Sequence, residues 1–347
     1  MLFMNSQNNL IQFIRAKYQE KRSKKKWINR KRNNSIQRFN QLCKERQWFE
    51  KGTINCVAPA DFSFVNNTEE VVKYFNQIRK HIDNDQPVKI DISNITNLSP
   101  DIIILLIAVL KEKKSMKVGI SGNAPKIPHL KKIFVESGLY NFVTSRGKKK
   151  VADNNKLWKH STNNQVKGEI AGETVNICRE LFAQNGIKYD TDNLYNLLVE
   201  AMSNTINHAD KEQASINWWF YYFIDTAEQT IKFSFIDLGI GIFRSASFDS
   251  YRKYLKTLIP GNSFLVKPFL EGKIISSRKK DHEISGKGIK QIMSCAQNKE
   301  FINFTIITND QKINIKEKNS DSINTNFDGT FINFEISYKN INNGNKI

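Results

Sequence analysis

The clearest amphipathic pattern in the chain lies at residues 194–209, LYNLLVEAMSNTINHA. A helix turns by about 100° per residue, so these residues form one apolar face and one polar face. The apolar face holds Leu194, Leu198, Ala201, Met202 and Thr205, and the polar face holds Asn193, Asn196, Glu200, Asn204 and Asn207. The polar face is uncharged except at Glu200, whose carboxylate lies one turn from the Asn204 amide. That spacing favours a hydrated magnesium ion beside a phosphate, whereas an exposed helix in an Asn-rich protein is the simpler alternative.

The region from residue 53 to about residue 143 alternates between the apolar periods of strands and of helices. Such alternation predicts a small sheet covered by helices. The predicted elements are a strand at 54–58, a helix at 69–82, a strand at 87–92, a helix at 100–113, a strand at 117–121 and a helix at 126–138. The polar stretch that follows has no sustained period, and we interpret residues 147–166 as a linker.

The last half of the chain predicts a second, larger α/β region at 167–340. Helices are expected at 169–185 and 289–296, and strands at 214–224 and 230–236. The first of these strands is too aromatic to be exposed, so it should form sheet core. We expect a mixed sheet with helices on one face. The segment 243–284 is too long for a plain connection, and with helical pieces at 248–258 and 265–271 it is interpreted as a lid.

Three short motifs follow the amphipathic helix in order. The first, Asp237-Leu-Gly239-Ile-Gly241, ends a strand with a carboxylate that needs a donor to offset its desolvation. Its glycines allow the backbone to approach a ligand closely. The second, Gly286-Lys287-Gly288, precedes a helix whose free N–H groups and positive dipole end suit phosphate. The third is the late strand DGTFINF, which contains Thr330.

Together, the Glu200-xxx-Asn204-xxx-His208 helix, DLGIGI, SGKGI and DGTFINF resemble the ATP-binding motifs of the GHKL superfamily, which includes gyrase, histidine kinases and anti-sigma-factor kinases. The resemblance covers half the chain and is greatest to the anti-sigma-factor kinase type. It implies a two-layer α/β sandwich that binds ATP and Mg²⁺. The roles it implies are Glu200 as general base, Asn204 as magnesium ligand assisted by Asn207, Asp237 and Thr330 at the adenine, Gly239 and Gly241 at the base and sugar, Gly286, Lys287 and Gly288 at the phosphates, and Arg278 of the lid at the terminal phosphate.

Residues 53–146 also carry a resemblance, in KIDISNITNLSPDIIILLIAVL, to the central strand, loop and helix of STAS domains. That family's phosphorylation loop reads Asp-Ser-Ser-Gly, whereas this chain has Ser99-Pro100-Asp101-Ile102. Proline occupies the position of the phosphorylated serine. We expect Ser99 to cap the helix that follows rather than to accept phosphate. The predicted fold class is therefore α+β, with a small STAS-like α/β domain before the ATP-binding domain.

Charge changes this picture at the N-terminus. The 347-residue chain carries a formal net charge of +19, and residues 15–46 are dense in Lys and Arg. We interpret residues 1–52 as a basic helical arm that contacts nucleic acid or an acidic protein surface. The four cysteines are isolated, which favours reduced thiols over a disulfide framework or a zinc site. No apolar run suits a signal peptide or a membrane span, so we expect a cytoplasmic protein without a membrane partner.

Three functions remain open. The first, which asks least beyond the motifs, is a magnesium-dependent ATPase or ATP-driven switch. The second is an anti-sigma-type serine protein kinase acting on a partner, and the third is an ATP-gated nucleic-acid-binding effector. The first two would make the chain an enzyme, and a homodimer is compatible with all three. A histidine kinase is disfavoured because His160 does not lie on a predicted dimerising helix.

Overall fold

The computed structural model has an α+β fold, and residues Asn55–Ile347 form one compact unit apart from Met1–Ile54. In the first unit, Lys17, Arg22 and Ser23 are helical, and the rest of the basic segment at 15–46 lies outside the described residues. The residues that the structure describes are 17, 22, 23, 52–112, 115, 118–142, 157–161, 166–208, 217–225, 227–247, 258–273, 275, 276 and 288–344.

The described part of the small domain, residues 55–142, contains two short sheets, three α-helices and one 3-10 helix (Leu139–Asn141). The elements are β1 (Ile54–Val57), β2 (Asp61–Phe62), α1 (Thr68–Asp83), β3 (Val88–Asp91), β4 (Asn97–Leu98), α2 (Asp101–Leu110), β5 (Ile120–Gly122) and α3 (Pro128–Glu136). The larger sheet has the order β1-β3-β5, and β3 runs parallel to β5. Strand β2 pairs in parallel with β4. Helix α2 is apolar on all sides, which suits a helix that is fully covered, and its residues 101–109 are all buried.

The large domain, residues 157–344, is built on a five-stranded sheet of order β11-β12-β8-β7-β6. Its elements are β6 (Leu157–Ser161), α4 (Gly168–Ala183), α5 (Asp192–His208), β7 (Asn217–Asp225), β8 (Thr230–Asp237), α6 (Ile242–Ser245), β9 (Ala246–Ser247), α7 (Ser263–Leu270), β10 (Ile275–Ser276), α8 (Gly288–Ala296), β11 (Phe301–Asn314), β12 (Asn319–Ser337) and α9 (Tyr338–Gly344).

Every strand pair of the large sheet is antiparallel, so the prediction of a mixed sheet is wrong. The reason is that short turns connect β7 to β8 and β11 to β12, and short turns can join only antiparallel neighbours. The β12–β8 pairing brings Thr330 directly opposite Asp237.

Part of the predicted linker at 147–166 also belongs to the sheet. Residues Leu157–Ser161 form β6, which pairs with β7 along its whole length, and His160 lies on this strand. An edge strand needs a partner on one side only, so a short polar segment can serve without the apolar alternation that marks a central strand. The remainder of the predicted linker is described only at residue 166.

Both faces of the large sheet are buried. On the inner face, side chains such as Trp218, Phe220 and Phe233 join one core with helices α4, α5, α7 and α8. On the outer face, Trp219 and Phe331 alternate with these and are 1% and 0% exposed. The small domain covers them, because α2 packs on β7 and β8, and α1 packs on β12. The Phe64 ring lies 4.7 Å from the Phe331 ring and 5.2 Å from the Phe327 ring, centroid to centroid.

Replacing Phe64 with alanine tests how much the packing of the small domain on the sheet stabilises the protein. Phe64 is 0% exposed, so Phe64→Ala should lower the free energy of unfolding by about 3–5 kcal/mol, measured by urea denaturation. Val57 is 58% exposed on the same domain, and Val57→Ala should change that free energy by less than about 0.5 kcal/mol. Equal stability of the two variants would contradict the packing of the small domain on the sheet.

Candidate functional site

A pocket on the inner face of the large sheet gathers residues from three of the sequence motifs. Asn204 reaches it from α5, Asp237 and Gly241 from the end of β8, and Thr330 from β12. The side chains between these polar groups are apolar, including Phe235 and Ile332 of the sheet and Ile289 of α8. A mostly apolar pocket with a few converging polar groups is the usual form of a small-molecule site.

Helix α5 presents the faces that the sequence predicted. Leu194, Leu198 and Met202 are at most 1% exposed, while Glu200 and Asn204 are partly exposed. Thr205 was assigned to the apolar face and is buried, but its hydroxyl donates to the Asp237 carboxylate at 3.4 Å. This contact links the helix to the end of the strand. The sequence indicated it only by a threonine at the margin of the apolar face.

Asp237 is held by donors on several sides. The Gly239 N–H donates to its Oδ1 at 3.0 Å, and the Thr205 and Thr330 hydroxyls also donate to the carboxylate. Burial nevertheless dominates and raises the pKa of Asp237 to about 6, with these hydrogen bonds opposing the shift. The carboxyl therefore changes charge near neutrality, at the polar end of an apolar pocket.

Residues 239–243, which follow Asp237 and form the glycine loop, are held by two residues of β11 that the sequence analysis did not single out. The Asn309 amide donates to the Ile240 carbonyl at 2.9 Å and accepts from the Phe243 N–H at 3.0 Å. The Thr308 hydroxyl accepts from the Ile242 N–H at 2.9 Å. Gly241 has φ +80°, and a Cβ there would lie 2.6 Å from the Asn309 amide. Gly241 therefore lies close to Asn309, which is 68 residues away in sequence.

The start of α8 meets the polar face of α5. A Cβ at Gly288 would lie 2.6 Å from Asn204 Oδ1 and 3.0 Å from Glu200 Oε2. A side chain at this position would therefore displace the Asn204 and Glu200 side chains from their present positions. Burial raises the pKa of Glu200, so its carboxylate is more basic than a solvated one.

Some predicted site residues cannot be placed. Arg278, Gly286 and Lys287 lie outside the described residues, and Asn207 is described only as part of α5. Gly239 is placed at the strand end, where its N–H contacts Asp237.

Part of the predicted lid is buried. Its piece at 248–257 lies outside the described residues. The other piece forms α7, whose Leu265 and Phe269 are buried in the inner core, and Phe269 lines the pocket. The pocket volume is about 40 Å³, well below the roughly 300–1,000 Å³ of typical ligand pockets. A larger ligand would therefore have to displace side chains such as Phe269.

A second, larger cavity lies on the outer face of the sheet. Its volume is about 460 Å³, and its lining includes Ser99 and Asp101 of the small domain with Lys232, Ser234 and Asn333 of the sheet. The loop that resembles a STAS phosphorylation loop thus faces the side of the sheet opposite the first pocket.

Within the described part of the chain, no group of three or more His, Cys, Asp and Glu side chains is placed to hold a metal ion. Nor does any helix there have the length and apolar character needed to cross a membrane.

Comparison of the sequence with models of known protein families and with curated proteins found no match. The interpretation of the pocket therefore depends on its residues and their geometry.

The Asn309 bridge predicts a measurable loss of stability. Asn309→Ala removes an acceptor and a donor and places alanine at φ +54°, a backbone conformation that asparagine tolerates better. The free energy of unfolding should fall by about 1–3 kcal/mol, measured by urea denaturation. Asn319 is exposed and bonds to Glu317, so Asn319→Ala should leave stability nearly unchanged. A neutral effect of Asn309→Ala would show that the glycine loop does not depend on this amide.

Proposed function

We propose that this chain binds Mg-ATP in the inner pocket and uses it as an ATPase or ATP-driven switch of the GHKL type, joined to a STAS-like domain. The observation that carries the proposal is the convergence of separated motifs. Asn204, Asp237, Gly241 and Thr330 line one pocket, and Gly288 lies against Asn204 and Glu200. The sequence resemblance groups these residues around one nucleotide, and they are up to 130 positions apart in the chain.

The apolar part of the pocket suits an adenine ring. The ionised Asp237 carboxylate would accept a hydrogen bond from the adenine amino group, and Thr330 lies directly opposite it on β12. Phe235, Ile292 and Ile332 supply apolar contacts for the ring faces. Because the pocket is small, binding would require Phe269 or its neighbours to move.

The junction of α5 and α8 suits the phosphates. Free N–H groups at the start of a helix favour anions, and Gly288 begins α8. Asn204 would hold a magnesium ion together with phosphate oxygens and waters, as magnesium prefers. Bound magnesium neutralises charge on the phosphate oxygens. Glu200, with its raised pKa, would take the proton from an attacking water, a contribution of about 10² to 10⁴ in rate.

A serine kinase would need an acceptor outside this chain's STAS-like loop. Ser99 lines the outer cavity, whereas Glu200 lies at the inner junction, and the sheet stands between them. An ATPase or switch does not require such an acceptor.

An ATP-gated nucleic-acid effector is the second candidate, and the net charge of +19 favours it. Such a protein would bind nucleic acid with an affinity that falls steeply as salt increases.

Two variants should distinguish the residue needed for nucleotide hydrolysis from the residue needed for nucleotide binding. Glu200→Ala should abolish hydrolysis and retain Mg-ATP binding, because the carboxylate acts on the water. Asp237→Ala should abolish binding, because it removes the acceptor for adenine. Calorimetry measures binding, and phosphate release measures turnover.

The matched control is Asn196→Ala, which alters an exposed residue on the same face of α5 and should change neither quantity. Unchanged turnover in Glu200→Ala would remove its catalytic role. Repeating the assay with DNA, RNA and candidate acceptor proteins distinguishes the switch, effector and kinase functions.

The affinity for ADP should depend on pH through Asp237. Its pKa is raised from 3.8 to about 6, so as pH rises through 6 the carboxylate forms and can accept from adenine. Affinity should therefore weaken by up to about tenfold per pH unit below 6 and level off above it. In the absence of ligand, Asp237 affects the stability of the fold in the opposite direction. Its stabilising contribution is present below pH 3.8 and is lost as pH rises through 6.

A titration of ADP affinity between pH 5 and 8 measures the effect. Asp237→Asn keeps the side-chain shape but does not ionise, so the pH dependence that remains in this variant measures titration of the ADP phosphate and should be smaller than that of the native chain. An equal pH dependence in Asp237→Asn would assign the titration to another group.

A further inference from the structure

One segment of β12, residues 324–331, is held by the small domain on one side. The Glu69 carboxylate of α1 accepts from the Asn324 N–H at 2.8 Å and from the Thr325 hydroxyl at 3.3 Å. The Asn76 amide, two turns further along α1, donates to the Asn326 carbonyl at 2.9 Å. Helix α1 therefore holds this segment at three successive residues, through the backbone at Asn324 and Asn326 and through the side chain at Thr325.

The same segment contains the Asp328-Gly329-Thr330 motif, and the small domain also packs on both sides of it. The Phe64 ring contacts Phe327 before the motif and Phe331 after it. Gly329 has φ +147°, and a Cβ there would collide with the Asp237 carbonyl oxygen. The motif has little room to move independently of its neighbours.

The other side of the segment is bonded to the glycine loop of the inner pocket. Asp328 Oδ1 accepts from the Asn326 amide at 2.6 Å and from Arg244 at 2.6 Å. Arg244 lies on α6, the turn directly after Gly241. The Thr308 hydroxyl, which accepts from the Ile242 N–H, donates to the Gly329 carbonyl at 3.0 Å.

We propose that the small domain sets the affinity of the inner pocket for nucleotide, and that Asp328 is the positioning residue that couples α1 to the glycine loop. The inference rests on the proposed function, whose pocket it regulates. Asn326 contacts α1 through its backbone and Asp328 through its side chain, so a displacement of α1 moves Asp328, Arg244 and the glycine loop together. Coupling through such contiguous bonded elements has a physical path.

The Arg244–Asp328 pair is about half exposed on both side chains, and exposed ion pairs contribute little to stability. The pair therefore acts by holding Asp328 and Arg244 in place and not by stabilising the fold. Asp328→Ala should weaken ADP binding while the free energy of unfolding stays nearly unchanged, a combination that a purely structural role would not give.

The test is the affinity of the full chain for ADP in variants of α1, which does not line the pocket. The double variant Glu69→Ala/Asn76→Ala should bind ADP about tenfold more weakly, within the 5- to 150-fold typical of coupled sites. The single variant Glu69→Gln, with native Asn76, keeps an oxygen acceptor for Asn324 and Thr325. Its affinity for ADP should be close to that of the native chain. Glu70 is exposed and pairs with Lys73, so Glu70→Ala is the matched control.

A second readout needs no nucleotide. Amide hydrogen exchange at residues 239–243 should be faster in the double variant than in the native chain and in Glu70→Ala. If the native chain binds ADP and the double variant binds equally well with equal exchange, the coupling is wrong. If the native chain fails to bind ADP, the proposed function is wrong, and the exchange rates still decide whether α1 controls the glycine loop.

Discussion

The structure depends on a sheet that carries large aromatic side chains on both faces. Trp218 and Trp219 are adjacent on β7, point to opposite faces and are at most 1% exposed. A sheet with one wet face would expose every second of these aromatic side chains, at a cost of about 1.5–3 kcal/mol for each large apolar group. Two covering layers are therefore required, and the chain supplies helices on the inner face and the small domain on the outer face. The compact unit that spans both domains is a consequence of this two-sided burial.

The same arrangement separates two sites. The inner helices leave the pocket at Asp237, where β8 and β12 approach α5 and α8, and Glu200 lies at the junction of α5 and α8. The small domain leaves the outer cavity, where Lys232 and Asn333 meet the Ser99 loop. Alternate residues of β8 point to opposite faces, so Lys232 and Asp237, an odd number of positions apart, lie on opposite sides. A ligand in one region cannot contact the other directly, and communication has to pass through strands such as β12.

Local patterns predicted the parts that depend on local sequence. The faces of α5, the burial of α2 and the strand that ends at Asp237 follow from periodicity, because each element's environment is written along its own residues. Partners far apart in sequence leave no such record. Asn309 carries no pattern of its own, and its role arises from a left-handed backbone at a β-bulge that turns its amide toward the glycine loop. Strand β6 was missed because its ordering comes from β7, and the mixed sheet was wrong because strand direction is set by connections that apolar periods do not report.

The loop at Ser99 connects the small domain to the sheet through a buried carboxylate. Asp101 is 3% exposed, and its carboxylate accepts from the Val65 N–H at 2.8 Å and from the Phe64 N–H at 3.3 Å. Burial raises the pKa of Asp101, and these backbone donors oppose the shift. Its bonds fix the backbone at Phe64, whose ring contacts Phe327 and Phe331 around Gly329. The buried Asp101 carboxylate therefore helps to fix the small domain to the strand that bears Thr330.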